Sequence, residues 1–139
     1  MKIYLRKNSR IRIVQALYSW QLSNNKSYQI KNFFYKKYKK KIDFKYFNEI
    51  FLGIIKNKIK IDNLIKPCIL RNLNRLSEVE KSILRMSVYE LLKRKDIPYK
   101  VIINEGIEIA KIFGSKDSHK FINGVLDKIA IKIRFKKIA

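Results

Sequence analysis

Residues 77–93, SEVEKSILRMSVYELLK, carry the clearest structural signal in this chain of 139 residues. Ser77 and Glu80 have the spacing of a capping box. The serine oxygen accepts a backbone N–H three residues on, and the glutamate reaches back to the first one. Behind them Val79, Ile83 and Met86, with Leu84, Val88 and Leu91, recur at three- and four-residue steps and fill a broad apolar face. Lys93, Arg94 and Lys95 stand where the helix dipole favours cations. The spacing predicts a helix from Ser77 through about Lys93.

The same period continues on both sides. Downstream, Pro98 suits the first turn of a helix and Gly114 its left-handed end. Asp117 or Ser118 then caps a last helix with Phe121, Val125 and Ile129 in register. Upstream, Asp62 is expected to start a short helix carrying Leu64, Ile65 and Ile69, with Pro67 tolerated in its first turn. Asp43 is the N-cap expected before Phe44, Phe47, Phe51, Ile54, Ile55 and Ile59. Ser27 is expected to cap a helix with Ile30, Phe34 and Tyr38 on one stripe. A first helix is expected over Ser9–Leu22, through Val14, Leu17, Tyr18 and Gln21. Glycine occurs only at 53, 106, 114 and 124 and proline only at 67 and 98, with no period-two runs. The fold class read from this is all-α, a compact bundle of about seven helices.

Composition sets the function classes. Hydrophobic residues make up 47% of the chain, too many for a disordered basic tail. No apolar run approaches the roughly 20 residues of a membrane span, and charges interrupt the N-terminus too often for a secretory signal. A cytoplasmic location is the expectation. The single cysteine, Cys68, excludes a disulfide framework and a cysteine-cluster metal site. Lys and Arg number 33 against 11 Asp and Glu, a net charge of +22. An AT-rich genome would place lysine on any solvated surface, so the distribution says more than the total. Residues 1–69 hold net +14 and residues 70–139 net +8, with no acid before Asp43. Such an end is the footprint of a polyanion partner.

No constellation supports catalysis. Asp117-Ser118-His119 has the residue types of a hydrolase triad, but consecutive helical side chains diverge by about 100°. Glu105, Glu108 and Glu90 offer carboxylates with only one imidazole in the chain, and ion pairing such as Glu108 with Lys111 is the plainer reading. There is no phosphate-binding glycine loop, so no cofactor and no metal are expected. The N-terminal cations are a better signal. Lys2, Arg6, Lys7, Arg10 and Arg12 fall within eleven residues, and three of the eight arginines are among them. Arg6, Lys7 and Arg10 share a helix face, and arginine adds planar recognition of phosphates and stacking on bases. An ordinary solvated end is the competing reading. The run Lys36, Lys37, Lys39, Lys40, Lys41 reads either as a charged connection or as a nucleic-acid contact. Phe121 and Tyr18 read as core by spacing, although Lys120 and His119 beside Phe121 keep a stacking site open.

Three stretches carry a resemblance: VQALYSWQLS (14–23), LSEVEKSILRMSVYEL (76–91) and DIPYKVIINEGIEIAKIFGSKDSHKFINGVLDKIA (96–130). They resemble the NusB family of bacterial transcription antitermination factors, almost colinearly over the chain. The resemblance implies two packed three-helix subdomains, set here at 1–61 and 62–139, and no catalysis. It implies binding of boxA RNA of ribosomal operons together with the ribosomal protein NusE. The pair joins a complex that lets RNA polymerase read through terminators and supports ribosomal RNA maturation. It carries RNA contact onto Lys2, Arg6, Lys7, Arg10 and Arg12, onto Gln15 and Tyr18, and onto Asp117, Ser118, Lys120 and Phe121. It carries partner contact onto Glu80, where a capping role competes. The N-terminal run is less purely arginine than the family pattern, with Ile11, Ile13 and Asn8 among its cations. The lysine run at 36–41 is not a family requirement. Two other classes stay open: a protein that coats nucleic acid without sequence choice, and an RNA-targeting subunit of a separate modifying enzyme.

Overall fold

The computed structural model describes residues 2–113 and 117–135, with side chains from Tyr4 onward. Among the described residues there are seven α-helices and no strand: α1 (Lys2–Leu22), α2 (Ser27–Tyr38), α3 (Phe44–Lys56), α4 (Lys58–Ile65), α5 (Glu78–Lys93), α6 (Tyr99–Phe113) and α7 (Ser118–Ala130). Two short 3-10 turns, Lys66–Cys68 and Leu73–Arg75, join α4 to α5, and a π-helical turn, Ile131–Phe135, follows α7.

The capping box at Ser77 forms as its spacing predicts. Ser77 Oγ accepts from the Glu80 N–H at 3.1 Å, and Glu80 Oε1 accepts from the Ser77 N–H at 3.2 Å. The helix it starts is the axle of the fold. Every residue from Ser82 to Leu91 is buried, and α1, α3, α4, α6 and α7 all pack on α5. Asp43 also caps as expected, accepting from the Tyr46 N–H at 3.1 Å. Along α3, Phe44, Phe47 and Phe51 stack at 5.6–5.7 Å between centroids, and Phe34 of α2 stacks on Phe47. Gly53 is required where α3 meets α5, because a Cβ there would overlap the Tyr89 ring.

Several boundaries differ from the sequence reading, each for a physical reason. Helix α1 begins at Lys2 rather than Ser9. The repulsion among its first cations is offset by acids from α5 and α6. Ser27 is the first helical residue of α2 rather than its cap. Lys26 takes the cap position, and its N–H donates to Gln29 Oε1 at 3.0 Å. Asp62 starts no helix. It lies buried inside α4 and accepts from Arg85 Nε at 2.9 Å and Nη2 at 3.0 Å. Ile59 accordingly turns outward and leaves the apolar stripe of α3. Pro67 sits in a 3-10 turn after α4. Asp117 precedes α7 but makes no side-chain cap hydrogen bond, and Gly114 lies outside the described residues. The division expected at 61/62 falls inside α4, where Ile61 and Asp62 are both buried. Among the described residues no helix is long and apolar enough to cross a membrane.

Helices α1 and α5 run antiparallel. Gln21 Nε2 donates to Glu78 at 3.1 Å at one end, and Arg10 reaches Glu90 at the other. This sets the N-terminal cations against the end of α5, and the end of α1 beside the start of α5.

Candidate nucleic-acid interface

The N-terminal cations do not form one solvated patch. Arg10 is 3% exposed. Its Nη2 donates to Glu90 Oε2 at 2.9 Å, its Nε to Glu90 Oε1 at 3.1 Å, and its Nη1 to Glu105 Oε1 at 3.4 Å. Burial alone would pull this guanidinium down, but the hydrogen bonds and charges of Glu90, helped by Glu105, hold it above its ordinary value. Tyr46 also donates its hydroxyl to Glu90. Burial and the Glu90 charge push that phenol far above the usual tyrosine range, so it stays a neutral donor. The guanidiniums of Arg6 and Arg10 lie 4.5 Å and 5.6 Å from the Tyr46 ring centroid. The shared face of Arg6 and Arg10 is therefore an inner one. This burial leaves little of the Arg10 guanidinium at the surface to meet a phosphate. Its role is to hold α1 on α5 and α6.

The outer face of α1 is a different set, at steps of three and four: Tyr4, Lys7, Ile11, Gln15, Tyr18 and Leu22, with Tyr4, Lys7, Tyr18 and Leu22 exposed. Lys7 Nζ pairs with Glu105 at 2.9 Å while staying half-exposed. Arg12 lies beside this stripe. Its guanidinium stacks 4.0 Å from the Tyr38 centroid, and Nη1 donates to Gln15 Oε1 at 2.8 Å. Of the residues singled out on α1, Lys7, Gln15 and Tyr18 share the solvent stripe and Arg12 borders it. The side chain of Lys2 lies outside the described residues.

A second cluster forms at the start of α7. Phe121 is half-buried, and the Arg71 guanidinium stands 4.7 Å from its ring centroid. Arg71, Lys120 and Lys128 share a surface groove with Phe121 and the fully exposed Leu70. A neighbouring groove on the other side of Phe121 is lined by Arg71, Arg75, Ser77, Asp117 and Ser118. An aromatic ring framed by cations offers a face for a base and charges for its phosphates. Asp117 is exposed at this rim, whereas Ser118 is buried and donates its hydroxyl to Glu80 Oε2 at 3.1 Å. Glu80 is itself 8% exposed. Its carboxylate accepts from Ser77 and Ser118 and ties the starts of α5 and α7 together, which is the capping role that competes with partner contact. Sequence reasoning missed Arg71, Arg75 and Leu70. Two of the chain's scarce arginines, Arg71 just before the 3-10 turn that precedes Ser77 and Arg75 at its end, were the available signal.

The two clusters sit toward opposite ends of α5. Glu80 and Glu90 are ten residues apart, about 15 Å of helix. Helix α1 packs along α5 from Gln21 beside Glu78 to Arg10 beside Glu90. Among the described residues no group of three or more His, Cys, Asp and Glu is placed to hold a metal ion.

Comparison with known proteins agrees with the fold. The NusB family model matches residues 7–131. The transcription antitermination protein NusB of Buchnera aphidicola subsp. Acyrthosiphon pisum (strain Tuc7) is 53% identical over 138 residues, covering 99% of this chain and 96% of that protein. Among solved structures, NusB of T. maritima superposes with a TM-score of 0.77 at 36% identity, over 90% of this chain and 89% of that one. A chain from the crystal structure of antitermination factors NusB and NusE in complex with dsRNA superposes with a TM-score of 0.84, over 95% and 99% of the two chains. At 24% identity that likeness speaks for the fold alone.

Proposed function

The chain belongs to the NusB family of transcription antitermination proteins, and on that premise we propose that it acts as an RNA-binding adaptor that holds boxA RNA together with NusE. The role is non-enzymatic: the protein contributes binding and positioning within an antitermination complex with RNA polymerase, in the cytoplasm, promoting read-through and ribosomal RNA production. The observation that carries the RNA site is the Phe121 ring, flanked by Arg71 at 4.7 Å and framed by Lys120 and Lys128. A splayed base stacks on Phe121 while the neighbouring cations take its phosphates. The strand continues along α1 past Tyr18 and Gln15 toward Lys7 and Arg12. Arg10 and Glu80 act from beneath, Arg10 by fixing α1 and Glu80 by fixing the start of α7. Residues 1–61 and 62–139 serve as two packed halves of one domain, joined across α5.

Titration of boxA RNA and of a scrambled RNA of equal length, with and without NusE, tests this reading. The expected result is preference for boxA, strengthened by NusE, and its erosion in Phe121→Ala. Equal affinity for any RNA would favour a non-specific coat protein. Intact preference in Phe121→Ala would move the base-reading site elsewhere.

A further inference from the structure

The outer face of α2 lies outside the track just described, and it is built in an unusual way. Its apolar side, Ile30 and Phe34, is buried in the core. Three further rings, Tyr28, Phe33 and Tyr35, are nonetheless left exposed. Cations sit beside two of these rings and beside Tyr38. Lys37 Nζ lies 5.6 Å from the Phe33 centroid and 5.5 Å from that of Tyr38, and Lys39 Nζ lies 5.4 Å from that of Tyr35. Lys36, Lys37, Lys39, Lys40 and Lys41 are all exposed and make no ion pair among the described residues. No acidic residue precedes Asp43, so nothing on α1 or α2 neutralises them.

We propose that this α2 face is a second, sequence-tolerant contact surface for single-stranded RNA, which takes up the nucleotides flanking the segment held on α1 and α7. The proposal rests on the RNA-binding reading above and adds a site to it. Three observations carry it. Rings with cations interleaved among them match a strand that alternates flat bases with phosphates, where stacking accepts any base. The face is also continuous with α1. Arg12 stacks on Tyr38, which Lys37 also touches, and Phe33 forms a wall of a groove shared with Ser19, Asn25 and Gln29. The Ser19 hydroxyl and the two amides line this groove next to Tyr18. Finally, a helix lying on a membrane needs its apolar residues segregated from its charges. Here Phe33 and Tyr35 stand on opposite flanks of the exposed arc of α2 with Lys36 between them, so rings and charges are not segregated, and the apolar stripe of Ile30 and Phe34 already faces the core.

The experiment uses the full chain and two labelled probes, boxA RNA and the same RNA extended by a run of ten uridines. The expected result is that the extension tightens binding by the wild type about tenfold, the effect of one stacked base. The gain should vanish in Phe33→Ala and in a Lys36→Gln, Lys37→Gln, Lys39→Gln, Lys40→Gln variant. That variant should also lower the slope of log affinity on log salt by about 0.7 for each lost phosphate contact, while both variants keep wild-type affinity for the unextended probe. The four lysines are exposed and make no ion pair among the described residues, so the quadruple variant is expected to keep its fold even if Phe33→Ala does not, and circular dichroism checks both. No gain from the extension, or a gain retained by the lysine variant, overturns the proposal. Binding to vesicles of phosphatidylserine and phosphatidylcholine that the same variants lose, with no gain on extended RNA, overturns it in favour of a membrane face. Loss of boxA preference in the wild type sinks the α1–α7 reading instead, and leaves the uridine-dependent gain to report on α2.

Discussion

At Arg10 a charge that would attract RNA from the surface instead serves the interior. Its partners, Glu90 and Glu105, lie 80 and 95 residues away, and Tyr46 completes the group. Removing one partner from a buried pair leaves an uncompensated charge and costs about 3–5 kcal/mol. Arg10→Ala is therefore expected to lower the urea midpoint sharply, and Arg10→Met with Glu90→Leu to recover much of the loss. Lys7, half-exposed on the outer stripe, behaves oppositely: Lys7→Gln is expected to leave stability nearly unchanged and to reduce the salt slope of RNA binding by about 0.7. Chemical denaturation and salt-dependent titration of the two variants separate the roles, and a reduced slope without destabilisation in Arg10→Ala would reverse the assignment. That Arg6 and Arg10 share a face was legible from their spacing. Which face turned inward was not, because the acids that decide it are distant in sequence.

The ends of the elements show how far local signals reach. The Ser77 and Asp43 caps were legible because a cap needs only residues within four positions. Asp62 was misread as the start of a helix because its true partner, Arg85, is 23 residues away. Glu80 carries both kinds of information: it closes its own helix and reaches Ser118 on α7. Ser77→Ala is expected to cost about 1 kcal/mol and to leave RNA preference intact. Glu80→Ala should cost more and also blunt boxA preference, since the start of α7 that presents Phe121 loses its tie. Thermal melts paired with RNA competition check both, and full preference in Glu80→Ala would uncouple the cap from the site. The α5–α6 link has a simpler expectation. Arg94 donates to both oxygens of Asp96 and holds that carboxyl down to about 2. Its folded pKa lies below the unfolded value, so the stabilisation is present above about pH 4 and is lost as pH falls toward 2. An NMR titration of the Asp96 carboxyl should give a midpoint near 2, and Arg94→Gln should return it toward the ordinary aspartate range.

Over the whole molecule, the all-α class and the helical register were open to reading because a 3.6-residue period is a property of the chain itself. The candidate interface was only half legible. Phe121 and its neighbours could be named in advance, but Arg71 and Arg75 join them through a turn whose path depends on tertiary packing. The same packing argues against independent halves. Arg10–Glu90, Tyr46–Glu90 and Gln21–Glu78 tie α1 and α3 to α5, and Arg85–Asp62 ties α4 to it. Helix α5 is buried by α1 and α3 from one side of the sequence and by α6 and α7 from the other. Separating the halves would expose α5 along its apolar length and strand these charges, so neither half should persist without its partner. Unfolding in urea is therefore expected to be a single transition. Fluorescence of Trp20, which reports on α1 and its seat beside α5, and helical circular dichroism, which reports on all seven helices, should give coincident midpoints. A Trp20 transition clearly preceding the loss of helix would mean that α1 releases from a surviving second half. It would also separate the α1 stripe from the Phe121 cluster as binding surfaces.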